Sequence, residues 1–371
     1  MIAPLLALSL VAGLFGDVNV AGSVYLHHPS LFGAEGTDED AALGGTLRGF
    51  NAEAAFKVVA DVTDSVSASA KICYGCHDFT ADMAYVDWYV DDRFSVRFGR
   101  FPVPFGEFYL RHDAANHRSA TKPLPYEMGR MLYRSAFNLA VLPEPYPDNG
   151  VELYGTFRAD AVELAYNAYA VAGLKGSAAA GDLDFVQSRQ VFYADNNRTP
   201  AVGGRLTLAF PELPIAAVRW FAIGISAMYG RYDEDDELDY LLAGVDLYTR
   251  IGRLNVRGEA MFRRTAIPDT PERYQQRLRD LFVQREGFYL QLDGPLNTYV
   301  EWLVRADGFR RAGPLLVGSP LASTDSGIGR ATAGVNLVPT TGIKLKLNYE
   351  YWRFTDFPDA HMLHTGLVGT F

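Results

Sequence analysis

Cys73-Tyr74-Gly75-Cys76-His77 is the group of residues in this chain whose types and spacing match a specific covalent chemistry. Thiols at this spacing can add to the two vinyl groups of a haem, and the adjacent histidine can supply an axial nitrogen to the iron. Cys73 and Cys76 are the chain's only 2 cysteines, and His77 is one of 7 histidines. The pattern makes Cys73 and Cys76 candidate attachment points for haem c and His77 a candidate iron ligand, with His112, His117, Met83, Met128 or Met131 available on the far side of the metal. A small disulfide fits the same two cysteines, and so does a pair of free thiols. A structural zinc site would need two further ligands that the sequence does not place. No G-x-S-x-G, H-E-x-x-H or phosphate-binding glycine loop occurs, so no enzyme is expected.

The elements that would carry this motif are strands. The final residues, His361 to Phe371, alternate along their length. Leu363, Thr365, Leu367, Gly369 and Phe371 fall on one face, and Met362, His364, Gly366, Val368 and Thr370 on the other. A strand running to the last residue suits a closed barrel, in which the last strand pairs with the first and no edge is left open. In this the chain resembles the outer-membrane β-barrel proteins of Gram-negative bacteria, whose C-terminal strand ends in Phe. The composition agrees. The chain has 371 residues, 13% aromatic, with 35 Gly and a mean hydropathy of -0.03. Polar inward residues dilute apolar outward ones in a barrel, which leaves the average near zero. A net charge of -10 argues against nucleic acid as a partner.

Residues 1-16 read as the apolar core of a secretory signal, although no Lys or Arg precedes the apolar run. Residues 17-371 form a single barrel domain of about sixteen antiparallel strands, each near the ~10 residues that a tilted membrane strand needs. The connections alternate in length. Tight turns are expected at 63-65, 91-93, 158-160, 211-214, 252-253, 294-295 and 339-342. Long loops lie between them, and a short loop helix is expected at 270-282. The longest connection, Pro104 to Asn149, follows the fifth strand and far exceeds the usual 2–6 residues, which marks it as functional. Short turns at one end and long loops at the other match an outer-membrane barrel. The same ordering puts Cys73 to His77 at the outer rim.

Several strands carry charge on one face. Arg253, Asn255, Arg257, Glu259, Met261 and Arg263 stand opposite Leu254, Val256, Gly258, Ala260 and Phe262. Such an inner row implies water inside, because a dry core rejects unpaired Arg and Glu at this density. Lys57, Lys71, Arg97, Arg205, Arg219, Arg257 and Lys344 could face the lumen, as could Glu53, Glu152, Glu163, Glu259 and Glu350. The pore would be mixed in sign.

The run Val96-Arg97-Phe98-Gly99-Arg100-Phe101-Pro102-Val103-Pro104-Phe105-Gly106-Glu107 resembles the G-Q-F-K-x-P-F-G stretch of the phosphate-selective porin family, with Arg100 in place of Lys and Pro102 as a departure. The resemblance implies that the long loop folds inward to narrow the channel and that the chain forms a homotrimer. The candidate constriction is Arg97, Glu107, Arg111, Arg118, Lys122, Glu127, Arg130 and Arg134. The mixed lumen does not support phosphate selectivity. The expected function is a porin in outer-membrane lipid, passing small hydrophilic solutes or ions by size exclusion and a transverse field between opposed charges. The alternative is a haem-bearing electron conduit in the same barrel.

Overall fold

A computed structural model describes residues 17–32, 49–75, 79–127, 140–142, 146–176, 188, 193–211, 217–268, 282–312, 325–355 and 358–371. Its strands, in chain order, are β1 (Val18–Phe32), β2 (Asn51–Thr63), β3 (Val66–Tyr74), β4 (Phe79–Asp91), β5 (Phe94–Pro102), β6 (Pro147–Ala159), β7 (Val162–Val171) and β8 (Ala201–Phe210). They continue as β9 (Val218–Arg231), β10 (Asp239–Ile251), β11 (Leu254–Ala266), β12 (Phe282–Pro295), β13 (Val300–Ala312), β14 (Asp325–Thr340), β15 (Ile343–Phe354) and β16 (Ala360–Thr370). Each pairs antiparallel with its neighbours, and the sheet closes on itself. The signal segment, the expected loop helix except for its last residue, and Cys76, His77, Met128 and Met131 lie outside the described residues.

Closure runs through β1 and β16, from Ser23 opposite Thr370 to Phe32 opposite His361. Gly22 and Phe371 then exchange two backbone hydrogen bonds, Gly22 N to Phe371 O at 3.0 Å and the reverse at 3.1 Å. Phe371 thus seals the seam with its backbone while its side chain stays exposed. The turns at 63–65, 91–93, 158–160, 252–253 and 339–342 fall where expected; the one expected at 294–295 is at 296–299 instead, because β12 continues through Pro295, and 212–214 lie outside the described residues. Asp160 takes a positive φ of 49° between β6 and β7, and Gly252 one of 60° between β10 and β11, as hairpins twisted with their strands require. At the β4–β5 turn the Asp91 carboxylate accepts from the backbone N–H of Arg93 and Phe94, both at 2.8 Å.

Alternation separates two surfaces. Val24, Phe56, Ile225, Phe288 and Leu347 are exposed on the outside, while Tyr25, Lys71, Arg205, Tyr289 and Glu350 are buried on the inside. Exposed Phe50, Tyr74 and Phe79 ring the long-loop end, and Trp88, Phe94, Phe157 and Tyr299 the short-turn end. Apolar walls between aromatic girdles suit a bilayer. The split in β11 follows the predicted faces. Arg219 is a correction. It shares the parity of outward Ile223 and is exposed, and pairing with β10 slips there between Arg250 and Ile251.

Candidate functional site

The connection from β5 to β6 turns into the barrel, and its described part is fastened to wall strands around the lumen. The entry depends on Gly106, whose φ is +67° and whose missing Cβ would run into the Glu259 carboxylate and the Tyr126 hydroxyl. Only glycine combines that backbone with such an approach. Gly106 N–H donates to Ser226 Oγ at 3.0 Å, and Arg205 donates to Gly106 O. A single 3-10 turn, Phe108–Arg111, follows. Phe108 stacks on Tyr126 with centroids 4.9 Å apart, and its N–H donates to Glu259 Oε1 at 2.8 Å. Glu259 also accepts from Tyr289 at 2.6 Å and from Tyr126, so a buried carboxylate has its lone pairs filled by the loop and wall.

The loop then reaches β3. Lys71 Nζ lies 2.6 Å from Asp113 Oδ1, 3.1 Å from His112 Nε2 and 3.3 Å from Asp82 Oδ2. Burial alone would raise the Asp113 carboxyl, but His112 and Lys71 hold it well below the usual carboxylate range. The chain returns past β15, where Lys346 Nζ donates to the carbonyls of Ala114, His117 and Ser119 at 2.6, 2.6 and 2.9 Å. Tyr25 OH donates to Ala120 O at 2.9 Å, and Arg305 to Thr121 O at 3.0 Å and Thr121 Oγ1 at 2.8 Å. Behind these contacts runs a buried ion network of Arg305, Asp307, Arg330 and Glu350.

These contacts revise the inference from inner charge to water. Lys71, Arg305, Arg330, Lys346 and Glu350 all face inward, yet each is at most 3% exposed. A dry interior rejects unpaired charge, and here the loop supplies the partners. The inward charges of β13 to β15 therefore mark anchoring sites for the loop as much as a solvated wall.

Water is reached by a second set. Arg111 Nε donates to Glu107 Oε1 at 2.8 Å, Arg257 lies 3.8 Å from Glu107 and 2.6 Å from Asp293, Arg118 contacts Asp293 and lies 3.2 Å from Glu301, and Lys344 lies 3.0 Å from Glu301. This is an alternating chain of four cations and three anions, whose side chains, except that of Asp293, keep 14–23% of their surface exposed. On the far wall, six to eight strands away, Arg97 pairs with Asp87 at 2.8 Å and Glu152 at 3.1 Å and lies over the rings of Tyr85 and Tyr154. Charges of opposite sign thus pair along each wall rather than facing each other across the lumen.

Of the expected constriction residues, Glu107, Arg111 and Arg118 come together in this chain. Arg97 stands apart on β5, and Glu127 is buried at 2% exposure. Lys122 is half-buried and binds the wall through its carbonyl, which accepts from Arg305 at 3.3 Å and from Arg330 at 2.5 Å. Arg130 and Arg134 lie outside the described residues. Sequence reading did not single out Asp87, Asp293 or Glu301. The inward parity of Asp293 with Gln291 and Tyr289 on β12 was the available signal.

Cys73 points inward from β3 at 1% exposure and donates from Sγ to Asp82 Oδ2 at 2.7 Å. Beside it, walled by Tyr25, Glu53 and His112, is a cavity of about 20 Å³. That is room for a water molecule. His112, offered above as a sixth ligand, is held by Lys71 and by the carbonyl of Tyr109.

A closed sixteen-stranded antiparallel sheet with an apolar exterior, aromatic girdles and an inward loop after its fifth strand defines a transmembrane β-barrel of porin architecture. The sequence model of the family Phosphate-selective porin O and P matches residues 43–119, which include the β5 motif and the first part of the inward loop. Solved structures extend the likeness over the whole fold. An anion-selective porin from Comamonas acidovorans is similar with a TM-score of 0.60 at 11% identity, covering 96% of this chain and 99% of the other. The outer membrane channel DcaP of Acinetobacter baumannii gives 0.55 at 12%, with 96% and 97% covered. OmpT of Vibrio cholerae, in a trimer form, gives 0.56 at 10%, with 96% and 99% covered. No curated protein matches the sequence significantly.

Proposed function

We propose that this chain is a porin of the bacterial outer membrane that passes small hydrophilic solutes or ions by passive diffusion. The observation that carries this reading is the partly exposed charge chain from Arg111 to Lys344, which lines the inward loop and the wall beneath it. A structural plug would bury or omit those charges. The chain holds one more cation than anion, whereas Arg97 opposite faces two carboxylates, Asp87 and Glu152. The pore is therefore weakly selective. In planar bilayers, purified protein should give discrete conductance steps, with a small reversal potential in a KCl gradient; folded protein that gives no steps sinks the proposal. Assembly as a homotrimer is supported by the likeness to the trimeric OmpT form. Cross-linking in mild detergent tests it.

The second reading, a haem-bearing conduit, rests on the spacing of Cys73, Cys76 and His77. The burial of Cys73 and its bond to Asp82 weigh against it. A Soret band that survives acid-acetone extraction, from cells competent in cytochrome maturation, would restore it.

A further inference from the structure

The lumen wall that carries Arg97 differs in kind from the charge chain on the far side. Register lays its inward residues out in rows. Asp87 on β4 stands opposite Arg97 on β5, and Arg97 opposite Glu152 on β6. One row nearer the long loops, Tyr85 stands opposite Gly99 and Gly99 opposite Gly150, so a single ring has two side-chain-free positions beside it. One row nearer the short turns, Tyr89 stands opposite Ser95 and Ser95 opposite Tyr154. Three tyrosines thus surround one arginine, and Tyr85 and Tyr89 follow the pore axis about 13 Å apart along β4. The Arg97 guanidinium lies 4.4 Å from the centre of the Tyr85 ring and 5.0 Å from that of Tyr154, with 20% of its side chain exposed.

The two carboxylates of this wall are filled from within it. Asp87 Oδ1 accepts from Arg97 Nε at 2.8 Å and from Tyr154 OH at 3.0 Å, and Asp87 Oδ2 accepts from Arg97 at 3.3 Å. Glu152 accepts from Arg97 at 3.1 Å and from Asn167 at 2.7 Å. Both carboxylates are buried. Arg97 donates three of its five N–H groups in these bonds and has two left at its edge. The Tyr85 hydroxyl has no hydrogen-bond partner among the described residues, and Tyr89 is 42% exposed with its hydroxyl 3.1 Å from Ser67 Oγ. What meets water is therefore ring faces, hydroxyls and a guanidinium edge.

We propose that this wall is a binding track for a neutral, hydroxyl-rich solute, a short linear oligosaccharide, with sugar rings on Tyr85 and Tyr89 and sugar hydroxyls on the free edge of Arg97. The inference rests on the porin reading and names a solute class for its lumen. A sugar ring carries C–H bonds on its faces and hydroxyls around its rim. The faces suit flat aromatic surfaces, and the rim suits fixed donors and acceptors set between them. An inorganic anion would use the guanidinium edge alone and leave the rings bare, beside two carboxylates that repel it. An organic cation would meet carboxylates whose lone pairs are already taken, and Tyr85 and Tyr154 already hold a cation in Arg97.

The test is single-channel recording of the full chain in planar bilayers in KCl, with maltohexaose added and a polyethylene glycol of equal hydrodynamic size as control. The sugar should interrupt the current in resolved, saturable events, and the polymer, which has no ring faces, should not. The half-blocking concentration is read against each channel's own open current. The double variant Tyr85→Leu/Tyr89→Leu should raise it roughly tenfold through the loss of two ring contacts. Tyr85→Phe/Tyr89→Phe keeps both rings and should raise it less. Tyr89→Leu alone alters a ring that is already exposed, which keeps the comparison in hand if the double variant fails to insert, and it should raise the half-blocking concentration roughly threefold. Open channels without saturable sugar block, equal block by the polymer, or leucine variants that block like the native chain overturn the track and leave the porin reading in place. Block by spermidine where the sugar has no effect overturns it in favour of an organic-cation site. Folded protein that gives no conductance steps removes the porin reading and the track together.

Discussion

At the scale of single residues, Gly106 and Arg118 separate shape from charge. Gly106→Ala forces a left-handed backbone on a residue with a Cβ and drives that Cβ into Glu259 and Tyr126. Its expected cost is about 1–3 kcal/mol, read as a lower urea midpoint in micelles with a retained barrel. Arg118 joins Asp293 to Glu301 and keeps 23% of its side chain exposed. Arg118→Gln leaves the loop carbonyl contacts in place but removes one positive charge from the lining. A unit charge at contact distance in water is worth about 1 kcal/mol, so the cation-to-anion permeability ratio should rise roughly 3- to 5-fold. An unchanged reversal potential would remove this chain of charges from the conduction path. The role of Gly106 was half-visible in the sequence, because the motif around it resembles a known family. Its reason was not, because Glu259 lies 153 positions away.

At the scale of elements, the long connection behaves as an internal strut. Its far end is held by Asp113 to Lys71 and its return by Lys346. Asp113→Asn weakens the far tether and should raise open-channel noise at neutral pH. The pH dependence follows from the direction of the shift. A carboxyl held below its unfolded value, about 4, stabilises the folded state above that pH and loses the contribution only as pH falls through the lower folded value. Channel noise in the native protein should therefore stay flat from pH 7 down to about pH 3; a rise centred near pH 4 would show that Asp113 is an ordinary surface carboxylate. Lys346→Met strands three loop carbonyls and should lower stability by about 2–4 kcal/mol. The length and place of the loop were legible from the missing period-two pattern. Its path was not, because the anchors are single inward residues on strands distant in sequence, each an ordinary member of an alternating row.

At the scale of the whole molecule, closure and environment decide the fold. The seam of β1 with β16 ends where Gly22 meets Phe371, and a Cβ at Gly22 would run into the Phe371 ring. Gly22→Val should reduce the folded, heat-modifiable fraction without altering the loop. An unaffected yield would mean that the ring simply swings outward. Alternation along each strand determined the architecture by itself: sixteen strands, their faces and their order of short and long connections follow from period two and turn residues, which are local. The sequence also brought Cys73, Cys76 and His77 to notice, but only the tertiary structure buried Cys73 against Asp82 beneath the folded loop. Likewise it alone decided which inward charges meet water and which meet the loop. Arg257 and Arg305 look alike on their strands, each inward and flanked by apolar neighbours. One sits in the solvated charge chain and the other holds Thr121, because solvation depends on what crosses the lumen in front of a side chain, and no local pattern records that.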